Sequence, residues 1–296
     1  MAHRLITSIS FTAMLVSTSI FAYATPEGNP SPAGPTESAS QSQAPDVKED
    51  PETPQAGDSG VTLMGLSFPV GLYQVRDHTL HNPHLHQGLI VGMSIDYEKE
   101  SGPDRYAFSI GGGYSSLSDV YNLPAVAVVT GARVEKTRLM MYFGDEGEWA
   151  LRAGAFAEYR SDISMYPFID DGHLYWLTSM GIGPAISVER QVLDGARASF
   201  GLRAPLFAMI SRPPRERFYN NGKDKVEYIL PKIFENREFR AIDTHLSMEV
   251  EAALRFGMGG GYVQTLGYRF FYANDSYPMS TQILSHTIFL RISAQW

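Results

Sequence analysis

From Val61 onward, apolar and polar residues alternate with a period of two, the signature of strands with one apolar and one polar face. Met64, Leu66, Phe68, Val70 and Leu72 oppose Gly65, Ser67 and Gly71. Leu89, Val91, Met93, Ile95 and Tyr97 oppose Gly92, Ser94, Asp96 and Glu98. The same alternation predicts strands over 105–115, 149–160, 176–189, 199–210, 242–256, 262–272 and 285–296. A stretch near 134–144 is less regular, with Lys136 and Arg138 opposite Leu139, Met141 and Phe143. The total is ten, an even number, as a closed antiparallel bacterial barrel requires. Val120–Thr130 and Val226–Phe234 are apolar enough to be extra strands and would raise the count to twelve. Pro69, Pro184 and Pro205 fall inside predicted strands, so local bulges are expected there.

The connections alternate in length. Residues 100–104, 145–148, 193–196 and 257–261 are short and rich in Gly, Asp and Pro, whereas 76–87, 116–132, 162–173, 212–238 and 273–281 are longer. Aromatics sort by depth on the apolar faces. Tyr97, Tyr106, Trp149, Tyr262 and Trp296 lie at the short-turn ends; Tyr114, Tyr159, Trp176 and Tyr272 lie towards the long-loop ends. Two aromatic belts are what a bilayer with two interfaces selects. The expected fold is an all-β, antiparallel, up-and-down transmembrane β-barrel. A soluble β-sandwich is the alternative, but it would bury its apolar faces and need no belts.

The last strand ends on Trp296, with Ile288, Leu290, Ile292 and Ala294 on its side. It resembles the closing strand of a Gram-negative outer-membrane β-barrel. The resemblance implies outer-membrane location, recognition of the terminal aromatic by the assembly machinery, and contact with outer-membrane lipid and lipopolysaccharide. A monomer is favoured over an assembly.

Composition adds the upstream organisation. Residues 1–24 combine Arg4, an apolar centre and Ala22-Tyr23-Ala24, which predicts a cleaved signal peptide. Residues 25–60 are acidic and rich in Pro and Ser, and they predict a disordered periplasmic leader. Residues 61–296 make the barrel, with long loops outside the cell. The 296-residue chain has a net charge of -8 and no cysteine, which excludes a disulfide scaffold and thiol-ligated metal. Overall hydropathy does not count against a barrel, because the two faces cancel. No nucleic-acid signature is present.

Strand parity points Asp96, Glu98, Glu158, Glu189, Asp243, Glu249 and Glu251 into the lumen, together with Arg105, Arg152, Arg160, Arg203, Arg255, Arg269 and Arg291. At ten strands the interior is only slightly wider than side chains fill, so an ion-pair network is expected to plug it. A narrow solute path is the alternative; a general porin needs about sixteen strands.

Three stretches carry candidate chemistry. His78, His81, His84 and His86 cluster in the first long loop, and imidazoles of this density can take a divalent metal, although the spacing matches no structural zinc motif. No other cofactor is expected. Asp243-Thr-His245, read as inward-facing at the outer rim, is similar to half of the omptin protease site, in which a carboxylate orients a His that activates water. The Asp-x-Asp half of that site has no match, because Asp170 and Asp171 are adjacent and lie in another loop. The 212–238 loop is long and mixed in charge, with basic residues suited to lipopolysaccharide phosphates. The favoured function is non-enzymatic: envelope structure, surface interaction or narrow solute passage. The alternative is a rim-located hydrolase acting on peptide or lipid.

Overall fold

The structure, a computed structural model, describes residues 60–78, 85–144, 148–166, 173–212, 237–276 and 280–296. The expected signal peptide (1–24) and all of the expected acidic leader (25–60) except Gly60 lie outside the described residues. Twelve strands follow in order: β1 (Val61–Asp77), β2 (Leu85–Ser101), β3 (Asp104–Ser118), β4 (Pro124–Phe143), β5 (Trp149–Tyr166), β6 (His173–Leu193), β7 (Ala196–Arg203), β8 (Phe207–Ser211), β9 (Glu238–Ala241), β10 (His245–Gly259), β11 (Tyr262–Asp275) and β12 (Thr281–Gln295).

Each strand pairs antiparallel with its neighbours, β12 returns to β1, and β5 pairs with β6, so the sheet closes. The ring is β1-β2-β3-β4-β5-β6-β7-β10-β11-β12, a ten-stranded barrel. β8 and β9 are short additions rather than two further walls. β7 and β8 both pair with β6, and β9 pairs with β8. The seventh and eighth spans are therefore each broken once.

The break has a readable cause. Arg203 faces Glu249 on β10, yet Phe207 faces Ala241 on β9. Four residues of advance on one side match eight on the other, and the excess is taken up by the turn before His245. On β6, Ala185 faces Arg203 and Ile182 faces Phe207, a slip of one residue. Pro205 has no N–H to give, and it lies against Gly183, next to Pro184 on β6, so the ladder is interrupted where the prolines fall. Pro69 interrupts the β1–β2 ladder between Ser67 and Val70 without a change of register, so the bulge expected there is absent.

Two expected boundaries are corrected. The loop over 116–132 contracts to residues 119–123, and Val126–Thr130 is the upper half of β4, not a separate strand. Asp119 closes that turn by accepting from the N–H groups of Tyr121 (2.9 Å) and Leu123 (2.8 Å). Val226–Phe234 lies outside the described residues. At the opposite end, β10 and β11 are joined through Gly260 (φ 62°) and Gly261 (φ 79°), the left-handed pair that a two-residue hairpin demands.

The outer face is apolar. Met64, Leu66, Phe68, Val70 and Leu72 on β1 are each 40–50 % exposed, and the same register continues through Leu89, Val91 and Met93 on β2 and Ile288 and Ile292 on β12. So much contiguous exposed apolar surface suits hydrocarbon and not water. The inward register holds the buried residues. This chain folds as a closed, antiparallel, ten-stranded transmembrane β-barrel.

Candidate functional site

The lumen is built in two tiers. The tier at the short-turn end is ionic. Arg255 grips Glu98 with two parallel bonds of 3.1 and 2.7 Å. Arg105 lies 3.8 Å from Glu98 and bonds Glu189, which Arg152 approaches at 3.6 Å. One level higher, Glu249 is held by Arg133, by Arg203 at 3.1 Å and by Arg269 at 3.7 Å. Glu251 meets Arg269 at 2.9 Å, and Arg203 also bonds Glu135. Asp96 accepts from Ser67 and lies 3.2 Å from Arg291. Arg255–Glu98, Arg105–Glu189, Arg133–Glu249 and Arg203–Glu135 cross the lumen between strands that are not neighbours, whereas Arg152–Glu189, Arg203–Glu249 and both Arg269 contacts join adjacent strands. Buried ions in a low-dielectric interior persist only when matched this way.

Phe289 sits within this tier, 2 % exposed, with Arg269 and Arg291 at 5.1 and 5.4 Å from its ring centre. Its ring lies on Gly267 of the facing strand, where a Cβ would come within 2.3 Å of the ring. The glycine is there because the aromatic occupies the space a side chain would need.

The outer tier is an apolar core. Tyr73, Val75, Ile90, Leu117, Ala125, Ala127, Tyr166, Tyr175, Leu177, Ile210, Phe271 and Ile283 form one buried cluster. All point inward from the long-loop half of the strands. Asp162 joins the tiers: it accepts from Tyr73 (3.0 Å) and from Arg160 (2.7 and 3.0 Å), while the Arg160 guanidinium stacks 3.5 Å from the centre of the Phe271 ring. Among the described residues, the lumen keeps a cavity of about 90 Å³ lined by Glu98, Arg105 and Arg203 and one of about 150 Å³ lined by Glu158, Arg160 and Glu249. Each has room for a few waters.

The inward positions of Asp96, Glu98, Arg105, Arg152, Glu158, Arg160, Glu189, Arg203, Glu249, Glu251, Arg255, Arg269 and Arg291 match their alternation in the sequence. Asp243 does not join them. It lies exposed in the turn between β9 and β10, so it cannot orient His245 from within the strand. His245 is buried at 3 %, and the carboxylate beside its Nδ1 is Asp275 of β11, 3.6 Å away, which also accepts from Arg212. Arg133, Glu135 and Asp162 were missed. Asp162 continues the parity of Glu158 and Arg160 and was hidden by an expected loop. Arg133 and Glu135 were hidden because a bulge between Leu139 and Met141 shifts the parity of β4. The same bulge sends Lys136 and Arg138 to the outer face.

The histidine cluster is divided. His78 is half-buried next to the end of β1, His81 and His84 lie outside the described residues, and His86 is buried within the barrel, edge-on to Tyr166 at 4.8 Å. Of the aromatics, Tyr106, Tyr114, Tyr262 and Trp296 are exposed on the outer face; Tyr97, Trp149, Tyr159 and Tyr272 are half-buried there. Trp176 keeps the outward register of Met180 and Ile182 but is 5 % exposed, with its indole N–H 3.4 Å from Ser211.

No family model matches the chain, and no curated protein matches it in sequence. Among solved structures it is similar to the translocator domain of the autotransporter NalP from Neisseria meningitidis, at 10 % identity over 82 % of this chain and 90 % of that one, with a TM-score of 0.43. It is also similar to the outer membrane protease OmpT from Escherichia coli, at 7 % identity over 81 % and 98 %, TM-score 0.44. Neisserial surface protein A follows at 7 % identity over 80 % and 97 %, TM-score 0.31. The architecture described above rests on this chain's own strand ladder.

Proposed function

We propose that this protein is a sealed, non-enzymatic outer-membrane barrel that stiffens the envelope and presents its long-loop end at the cell surface. The observation that carries this reading is the filled lumen. Among the described residues, an ionic tier with pairs that cross the lumen and an apolar core above it stand beside cavities of about 90 and 150 Å³. A conducting path needs a continuous hydrated lumen, and the long-loop half instead packs Tyr73, Leu117, Tyr166, Tyr175, Phe271 and Ile283 into one buried cluster, with Asp162, His245 and Asp275 buried beside it. The rim-hydrolase reading is less well supported. His245 and Asp275 could form a carboxylate–imidazole pair, but at 3 % and 0 % exposure neither presents an atom to a substrate.

Purified protein in planar bilayers tests this. The expected result is electrical silence at ordinary salt; reproducible unitary conductance steps from purified, heat-modifiable protein would overturn it.

A further inference from the structure

The outer wall carries a feature that the lumen does not explain. On the lipid-facing register, Lys99 of β2 and Lys136 of β4 flank Tyr106 of β3 on either side, each as its direct cross-strand partner. Lys99 and Lys136 are exposed, and the Lys136 ammonium lies 5.1 Å from the centre of the Tyr106 ring. Arg138, two residues below Lys136, has a side chain 67 % exposed, and its carboxylate neighbour Asp104 is 3.8 Å away. Three cations therefore fringe the apolar band at its short-turn margin.

From Lys136 a groove of about 940 Å³ with almost wholly apolar walls runs along β5. Its floor is made by small side chains: Ala155 is the partner of Lys136, and Ala157 is the partner of Val134. Its sides are Phe108 and Val134 on one flank and Ile182 and Phe207 on the other. The register Phe108–Val134–Ala157–Ile182–Phe207 places the alanine as the low point of one continuous row. Large residues with a dip between them make a channel the width of a chain of methylenes, and a cation stands at its mouth.

We infer that this groove holds one anionic phospholipid of the leaflet at the short-turn end, with its phosphate between Lys99, Lys136 and Arg138 and an acyl chain lying over Ala155 and Ala157. The inference rests on the membrane-spanning architecture and not on the sealed lumen, so it stands or falls separately from the conductance result. Charge selects the occupant. A second copy of this chain offering its own apolar band would bring no anion to Lys99 and Lys136, whereas a lipid phosphodiester meets both halves of the site at once.

Native mass spectrometry of the full, detergent-extracted protein, titrated with phosphatidylglycerol or with phosphatidylcholine of the same acyl chains, tests the inference. The expected result is one bound lipid with about tenfold preference for phosphatidylglycerol, the size of effect a few surface basic residues exert on anionic lipid. Lys99→Gln with Lys136→Gln should erase the preference while leaving the fold intact by heat-modifiable migration. Ala157→Leu, which fills the floor, should weaken retention of both lipids. Equal retention of the two lipids by the unaltered protein, a preference unchanged in the double variant, or a dimer lost on Ala157→Leu would each overturn the assignment.

Discussion

The sealed-lumen reading makes a quantitative demand on the pair Arg255–Glu98. The two side chains are 23 % and 13 % exposed and share two bonds of 3.1 and 2.7 Å. Arg255→Met removes both bonds and leaves Glu98 with Arg105 at 3.8 Å. Stranding one member of a buried pair costs about 3–5 kcal/mol when water is excluded. The partial exposure and the remaining Arg105 reduce this, and about 2–3 kcal/mol is expected. Glu98→Gln should cost less, about 1–2 kcal/mol, because an amide oxygen still accepts from Arg255 and Arg105 keeps Glu189. The double variant should cost less than the sum, with a coupling of about 1–2 kcal/mol between the two sites. The assay is urea unfolding of the protein from lipid vesicles, followed by tryptophan fluorescence, for the four members of the cycle. Running it at about 0.1 M and about 1 M salt separates two pictures, since ions reach a hydrated lumen and screen its charges but reach a filled one poorly. Single variants within about 0.5 kcal/mol of the parent, with coupling abolished by salt, would mean that water and ions already occupy the lumen, and the reasoning from a filled interior would fail.

Two further predictions use the same measurement. Gly267→Ala sets a methyl against the Phe289 ring and should destabilise by about 1–3 kcal/mol, with Phe289→Leu in the same chain recovering part of the loss; an unaffected Gly267→Ala would place the ring elsewhere. Asp243→Asn in its exposed turn should stay within about 0.5 kcal/mol of the parent, whereas Asp275→Asn, which weakens the bonds to Arg212 and His245, should cost about 3 kcal/mol; the reverse order would restore Asp243 as the partner of His245.

Alternation made the barrel legible because most strands have lipid on one side and charge on the other. Met64 through Leu72 against Gly65 and Ser67 states both faces without ambiguity. The reading failed where the lumen is itself apolar. In the upper half of β4, Ala125 and Ala127 point into the apolar core while Val126 and Val128 occupy the outer register, so period two vanishes from the residue types although the strand continues. The loss hid a strand half and lengthened the expected loop. Long-range pairing was equally silent: nothing near Asp243 says that His245 faces a carboxylate from β11, because that neighbour is set by the strand register rather than by local spacing. The bulge at Leu139 had a similar effect. It moved Lys136 and Arg138 to lipid and Arg133 and Glu135 to the lumen, a reversal that a one-residue shift always produces.

The broken seventh span sharpens the case for a closed wall. A gap in a barrel's ladder could serve as a lateral port if the lumen behind it were open. Here the freed backbone groups find other partners. Leu206 donates to the Ile182 carbonyl at 2.9 Å, Thr244 donates to Ala241 at 3.1 Å, and Ser276 donates to Thr244 at 3.0 Å. Behind the gap stand Ala208 and Ile210, both part of the buried apolar cluster. Opening the wall at this point would break those bonds and expose the cluster to whatever entered, and neither loss has a compensating contact inside a lumen already filled. The break is therefore a means of accommodating Pro205 and the extra residues before His245. It leaves recognition to the loops and to the outer wall, where the cation-fringed groove lies.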